Sequence, residues 1–277
     1  MSATTSGLIH PSAVVDPGAC LGEGVRVGPF AVIGAGVEIG DGTEVGAGAQ
    51  VLGPAHIGRD NRIFPYACIG FEPQDLKFRG EEVSVEIGDR NQFREFCTVH
   101  RGTAKGGGVT RIGSDGLYMV YSHIAHDCQV GDRIVFANNA TLAGHVEVHD
   151  DVTISAFSSV HQFCRVGRHA YVGGYSVVTM DALPFVKTVG QKPAVYGLNS
   201  IGLKRKGFDA ESLRRLEAAV RILVRSRITT QSALERLRAE LAGDPEVDYL
   251  IAFLEGSRRG VHKSPPRGGG RGGGEPE

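Results

Sequence analysis

The chain contains no tryptophan, only five cysteines in 277 residues, and almost no net charge, its 30 Lys and Arg facing 31 Asp and Glu. So near-neutral a balance argues against a nucleic-acid binder, which normally carries a basic excess. No apolar run of signal-peptide or membrane length occurs at the N-terminus, so no membrane span is expected and the expected compartment is the cytoplasm. Cys20, Cys68, Cys97, Cys128 and Cys164 form no C-x-x-C pair, and reduced, packed thiols are expected instead of a redox or zinc motif. Forty glycines with no tryptophan describe one elongated domain more readily than several globules.

What is present is a repeat. Stepping by six from Ile9 gives Val15, Leu21, Val27, Ile33, Ile39, Val45, Val51, Ile57, Ile63 and Ile69 without a miss. The step resumes at Ile87, Phe93 and Val99, and again from Ile112 through Tyr118, Ile124, Val130, Phe136, Leu142, Val148, Ile154, Val160, Val166 and Val172 to Val178. An amphipathic helix needs apolar residues three and four apart and a coiled coil needs seven, so neither fits. Glycine often follows the aliphatic, as at Gly22, Gly28, Gly34, Gly40 and Gly46, which suits a tight corner where a Cβ would clash. Four places after the aliphatic sits a small residue such as Ala31, Ala49, Ala67, Cys97, Cys128, Ala140 or Cys164.

These features resemble the hexapeptide-repeat proteins, whose chains wind as a three-sided parallel β-helix. The resemblance implies eighteen residues per coil, a left-handed winding, and a prism of roughly nine coils spaced about 4.8 Å apart. The expected organisation is a lead over residues 1–8, the β-helix over 9–181 with loops near 71–84 and 101–111, a linker and basic turn over 182–206, a small helical region over 207–255, and a disordered Arg/Gly-rich tail over 256–277. The first break is polar and off the repeat, as binding loops on rigid scaffolds are. The second holds Gly106-Gly107-Gly108, but no helix follows it as a phosphate-binding P-loop requires.

An eighteen-residue coil places His126, Gly144 and Gln162 one above another, with His145 beside the column. A histidine can take a proton at neutral pH, and the adjacent Asp127 can fix its tautomer and support the imidazolium. Gly144, without a side chain, offers a backbone N–H to a developing oxyanion. With no Ser or Cys at a corresponding position, this pattern points to direct attack of a substrate hydroxyl on an acyl group. His10, His56, His149 and His169 stand outside the column and read as structural. A zinc enzyme resembling the γ-class carbonic anhydrases is the alternative, but His123 and His126 are three apart, not five as the paired ligands of that class are, and no metal is expected.

Six strings sharpen the resemblance: Gln74-Asp75-Leu76-Lys77, His100-Arg101-Gly102, His123-Ile124-Ala125-His126-Asp127, Asn138 through His145, Val160-His161-Gln162-Phe163, and Gly202-Leu203-Lys204-Arg205. Together, in this order, they resemble the UDP-N-acetylglucosamine O-acyltransferases that open lipid A biosynthesis. The resemblance implies transfer of a 3-hydroxy fatty acyl group from acyl carrier protein to the sugar 3-hydroxyl, by a homotrimer with no cofactor beyond the donor's phosphopantetheine thioester. It implies His126 as base, Asp127 as its partner and the Gly144 N–H as oxyanion donor. Gln74, Asp75, Lys77, His100, His123, His145, His161, Gln162, Asn199 and Arg205 would hold the sugar nucleotide and the donor arm. Gly174 would set acyl length, while Lys204, Arg205 and Lys206 would meet the acidic carrier. The sister enzyme acting on a 3-amino sugar shares the prism and is a second reading; it is expected to carry a domain ahead of the repeats, where this chain has a short lead.

Helical signals follow the repeat. Asp209 can cap a segment with Leu213, Leu216, Val220, Leu223 and Val224 on one face, Thr230 can cap residues 233–241, and Asp244-Pro245 reads as N-cap and first helical position of another. The Arg/Gly-rich tail cannot bury apolar surface and is expected to be dispensable.

Overall fold

The computed structural model describes residues 8–263 apart from 226 and 227. Its repeat region forms three parallel sheets of short strands. The first face holds nine strands from Val14–Val15 to Val177–Val178, the second eight from Cys20–Leu21 to Arg165–Val166, and the third ten that begin at Arg26–Val27. The coil length is read directly from the ladder: His123 pairs with Thr141, Thr141 with Ser159, and Ser159 with Val177, eighteen residues at each step.

The repeat forms this prism because each aliphatic of the hexad points inward onto its counterpart one coil away. Ile33, Val51, Ile69, Val99, Ile124, Leu142, Val160 and Val178 form one such buried stack. Only Ile9, Val15 and Leu21, at the open first coil, are partly covered. The small position four residues on also faces inward, and Cys97, Cys128 and Cys164 are buried, unpaired thiols there.

Glycine serves the corners in two ways. At the place after the aliphatic it allows close approach: a Cβ on Gly40 would lie 2.7 Å from the Gly58 carbonyl carbon of the next coil, and one on Gly46 2.8 Å from the Pro65 nitrogen. Two places further on the backbone is left-handed, and here glycine alternates with other residues, from Gly24 at φ 71° and Gly42 at φ 69° to Asp127, Asn139 and His145 at φ 61°. A left-handed backbone disfavours most side chains, with Asn, Asp and His the best tolerated after glycine.

Both breaks leave from the edge between the first and second faces. Cys68 pairs with Thr98 and Thr98 with His123, steps of 30 and 25 residues, so the excursions add 12 and 7 residues to the eighteen. The other two edges keep their register throughout.

Beyond Val178 the structure departs from the expected linker. Val186–Val189 rejoins the third face beside Tyr171–Val172, then pairs antiparallel with Ala194–Leu198. Pro184 precedes this hairpin and Pro193 lies in its turn, and burial of Leu183, Phe185 and Val186 holds it on the prism. Among the described residues four α-helices follow, α1 (Ser200–Arg205), α2 (Ala210–Val220), α3 (Thr230–Leu241) and α4 (Pro245–Glu255), with a π-helical turn at Arg221–Arg225 continuing α2. Asp209 and Asp244 cap α2 and α4 as expected. The cap of α3 is Thr229, one residue earlier than expected, because its hydroxyl reaches the Ser232 N–H at 3.1 Å. Leu216, Val220, Leu223, Leu234, Leu237, Leu250 and Leu254 bury their apolar stripes in one cluster with Phe185 and Val186.

The expected start of the disordered tail is also corrected. Residues 256–263 fold back on the prism: Asp181 bridges to Val261, Ser257 donates to the Asp181 carboxylate at 2.8 Å, and His262 is buried with Nε2 accepting from the Thr179 and Met180 N–H groups. The Arg/Gly-rich stretch at 264–277 lies outside the described residues. Among the described residues no helix is long and apolar enough to cross a membrane.

The two glycine roles make a contrast that can be measured. Gly40→Ala should destabilise the prism by about 1–3 kcal/mol, since its Cβ meets backbone that must shift. Gly24→Asn should leave the melting temperature within about one degree, because the position is open and asparagine tolerates its φ of 71°. Thermal melts of the two variants beside the parent check both.

Candidate active site

The edge between the first and second faces brings most of the predicted residues together. Strand His123–Ile124 ends one residue before Ala125, and the corner that follows carries His126 and Asp127. One coil on, Leu142 is followed at the same corner by Gly144 and His145, and a further coil gives His161 and Gln162 after Val160. The column is tied by backbone bonds, His145 N–H to the His126 carbonyl at 3.0 Å and Phe163 N–H to the Gly144 carbonyl at 3.3 Å.

His126 Nδ1–H donates to Asp127 Oδ2 at 2.7 Å, and the Asp127 side chain is 0 % exposed against 16 % for His126. Burial by itself would raise the Asp127 pKa, but hydrogen bonds from His126 and from both the backbone and hydroxyl of Thr103 outweigh it and hold the carboxyl below its usual range. The carboxylate is therefore an anion at neutral pH, and it fixes the tautomer in which His126 Nε2 carries the free lone pair. The ring lies flat against Gly144: a Cβ there would sit 2.5 Å from His126 Cε1 and 2.7 Å from Nε2. Among the described residues Gly144 N–H has no hydrogen-bond partner, and neither has His126 Nε2.

His145 stands edge-on to His126 at 5.1 Å between ring centres, stacks on Phe163 at 4.5 Å, and holds Nε2 3.6 Å from Asp127 Oδ2. Burial lowers its pKa against the pull of Asp127. His100 packs edge to face on His123 at 5.3 Å and donates to the Glu72 carbonyl, tying the first loop to the edge. Burial pushes His123 down to about 4, with His100 and His126 adding to it, and lowers His100 as well. Both rings are thus neutral near pH 7 and add no positive charge beside the base. Gln74, Asp75 and Lys77 sit on the loop that leaves this same edge, Asp75 capping Lys77 N–H at 2.9 Å, and Leu76 at the tip is 96 % exposed. His161 and Gln162 are exposed one coil beyond His145.

The remaining predicted residues lie on other edges of the same chain. Asn199 caps α1 and donates from Nδ2 to the His169 carbonyl at 3.0 Å, which places α1 at the corner between the second and third faces. Lys204 and Arg205 are exposed there, whereas Lys206 is paired with Asp151 at 2.6 Å. Gly174 lies at the third-to-first corner; an added Cβ has Ala156 O as its nearest neighbour at 3.4 Å. Three histidines read as structural have structural partners: His56 with Glu38, His149 with the Tyr249 hydroxyl, and His169 stacked on Phe185.

Two threonines of the second loop escaped the sequence reading. Thr103 donates its N–H to Asp127 Oδ1 and its hydroxyl to Oδ2, both at 2.7 Å, while Thr110 Oγ1 accepts from the Asp127 N–H at 2.8 Å. The available signal was the loop's own chemistry, a threonine able to cap a short turn before a glycine run. The run is no phosphate cradle in its first member: a Cβ on Gly106 would lie 2.1 Å from the Asp127 carboxyl carbon. Donor atoms of His126, Asp127 and His145 come within 4.8 Å of one another, close enough for a metal ion. Three hydrogen bonds already occupy the carboxylate, two of them on Oδ2. A broad surface groove runs up the second face past Gly40, Gly58 and Gly88, and the His126 cluster does not line it.

Residues 181–262 match the family model described as UDP-N-acetylglucosamine O-acyltransferase, domain 2. An acyl-[acyl-carrier-protein]–UDP-N-acetylglucosamine O-acyltransferase of Myxococcus xanthus is 51 % identical over 253 residues, 91 % of this chain and 98 % of that protein. The solved UDP-N-acetylglucosamine acyltransferase of Francisella novicida superposes with a TM-score of 0.90 at 37 % identity, covering 93 % of this chain and 94 % of the other. That of Bacteroides fragilis gives 0.89 at 39 % identity, covering 92 % and 99 %. With this identity carried across both the prism and the helical region, the chain belongs to the acyl-[acyl-carrier-protein]–UDP-N-acetylglucosamine O-acyltransferase family.

Proposed function

We propose that this protein transfers a 3-hydroxy fatty acyl group from acyl carrier protein to the 3-hydroxyl of UDP-N-acetylglucosamine, the first step of lipid A biosynthesis, with His126 as general base. The observation that carries the reading is the asymmetry of one imidazole: Nδ1 is held by a buried anionic carboxylate, and Nε2 faces outward beside an unpaired backbone N–H. Nε2 takes the proton of the sugar hydroxyl as the oxygen attacks the thioester carbonyl, and Asp127 stabilises the imidazolium. The carbonyl oxygen gains the negative charge and is met by Gly144 N–H. Collapse of the tetrahedral intermediate breaks the carbon–sulfur bond, and the imidazolium returns its proton to the departing phosphopantetheine thiolate.

The acceptor and donor residues are spread over three edges of one prism, so a single chain does not gather them. A threefold assembly that sets the His126 edge of one copy against other edges of its neighbour completes the site, with Asn199, Arg205 and Lys204 on α1 serving the nucleotide and the carrier. The exposed Leu76 loop, projecting from the same edge, fits a contact with a neighbouring copy. An excess of exposed positive charge on α1 suits an acidic carrier protein, whose approach added salt should slow. Five unpaired cysteines fit a reducing cytoplasm.

His126→Ala should assemble as the parent does but turn over roughly 10² to 10⁴ times more slowly, assayed on purified enzyme with acyl carrier protein thioester; parental rates in a correctly assembled variant would refute the base. Gly174→Met should fold, since its φ is not left-handed and an added Cβ meets only Ala156 O, at a van der Waals distance of 3.4 Å, and should shift preference to shorter acyl groups. Product masses from a series of donor chain lengths read that directly, and an unchanged profile removes Gly174 from the site. His123 is held near a pKa of about 4 by burial. Its unfolded counterpart titrates near ~6.5, so stability should decline as pH falls from there toward the folded value. Imidazole NMR of the folded enzyme, with and without His123→Gln, checks the assignment.

A further inference from the structure

We infer that Thr103 is a positioning residue for the transfer: its hydroxyl clamps the Asp127 carboxylate and through it sets the orientation and basicity of His126. This rests on the reading of His126 as base. The second excursion, 7 residues beyond the coil repeat, is then the segment that carries the clamp to the edge.

Four observations converge. Thr103 is buried, and its N–H and hydroxyl supply two of the three hydrogen bonds that the Asp127 carboxylate accepts, one to each oxygen at 2.7 Å. The hydroxyl oxygen meanwhile accepts from Gly106 N–H at 3.2 Å, so the turn that Thr103 caps orients its proton toward Asp127. Gly106 lies so close that any Cβ would enter the carboxylate, with 2.1 to 2.3 Å to all three of its terminal atoms. Thr110, on the strand Val109–Ile112 at which the same excursion ends, receives the Asp127 N–H at 2.8 Å and so pins a residue whose φ is 61°. The excursion thus encloses Asp127 from both ends with donors for the side chain and an acceptor for the backbone.

The consequence for His126 has a definite sign. A carboxylate that shares its charge among three donors is a weaker acceptor toward imidazolium than one relieved of a donor. Removing the Thr103 hydroxyl should therefore strengthen the Asp127 interaction with protonated His126, raise the His126 pKa, and move the acid limb of the rate profile to higher pH. Loosening the carboxylate should at the same time lower the rate at the pH optimum. Other charged or titratable groups near the pair stay in place: His145 beside Asp127, His123 and His100 beside His126, and Asp75 toward His145. On the excursion itself Lys105 is exposed, and Arg101 is turned to the Gly53 carbonyl.

The test is Thr103→Val, which removes the hydroxyl and keeps both shape and the backbone donor, beside Thr103→Ser, which restores the hydroxyl alone. In the intact, assembled enzyme Thr103→Val should lower kcat by roughly tenfold, the scale of a hydrogen bond to a charged group, with KM for both substrates unchanged. His126 imidazole NMR should titrate at higher pH than in the parent, and Thr103→Ser should return both readouts toward parental values. Gly106→Ala, whose Cβ displaces the carboxylate while the Thr103 hydroxyl is retained, provides a second perturbation and should also lower kcat. An unmoved His126 titration in Thr103→Val, or a Thr103→Ser enzyme as impaired as Thr103→Val, overturns the proposal. A titration that moves while kcat does not supports the clamp and strikes instead at His126 as base.

Discussion

The ladder that pairs each residue with the one eighteen places on is the constraint from which everything else in this molecule follows. Parallel strands two or three residues long have little stability individually, and each coil is held by burial of its aliphatics against the coils on either side. That mutual burial leaves no freedom of register, since a slip of one residue would turn the aliphatic outward. Corner residues therefore inherit their positions from the core. The His126 ring meets Gly144 because Ile124 is seated on Leu142.

A fixed register also governs where the chain can depart from it. Both excursions begin at first-face strands and end at second-face strands, so the aliphatic stack resumes in phase on every face. An excursion brings polar backbone that a core cannot accept, and an edge is where it can find partners or water. Having both at one edge makes that edge chemically different from the other two. The first excursion supplies Gln74, Asp75 and Lys77 to its surroundings, and the second turns inward and encloses Asp127.

The scaffold was legible in the sequence because its signal is periodic. Twenty-six apolar positions at a spacing of six leave little choice of architecture, and an eighteen-residue column by itself sets His126 under Gly144. Caps at Asp209 and Asp244 were readable for the same reason, being local chemistry at a fixed offset. Contacts set by non-periodic segments were not. Thr103 meets Asp127 across 24 residues through a loop whose path no repeat predicts. Pro184 and Pro193 looked like a linker, yet Phe185 and Val186 between them are fully buried and hold a hairpin on the third face. Ser257 and His262 looked like the start of a tail, and their hydrogen bonds at the last coil, to Asp181 and to the Thr179 and Met180 N–H groups, are equally invisible to periodicity.

The left-handed corner explains why an acid and an imidazole are tolerated in so regular a fold. Asp127 and His145 both occupy the corner position where the backbone has φ 61°, and Asp and His are among the few side chains that accept it at small cost. Elsewhere in the chain the same position is filled by aromatics such as Tyr66, Phe96 and Tyr121, which stack along a different edge. A conformation that glycine would satisfy anywhere is thus used at one edge to aim a carboxylate and an imidazole at the same point. The buried carboxylate needs three donors to remain charged there, and two of them come from outside the repeat. The coil supplies position, but only an interruption of the coil supplies enough hydrogen bonds to keep an unexposed anion beside a base.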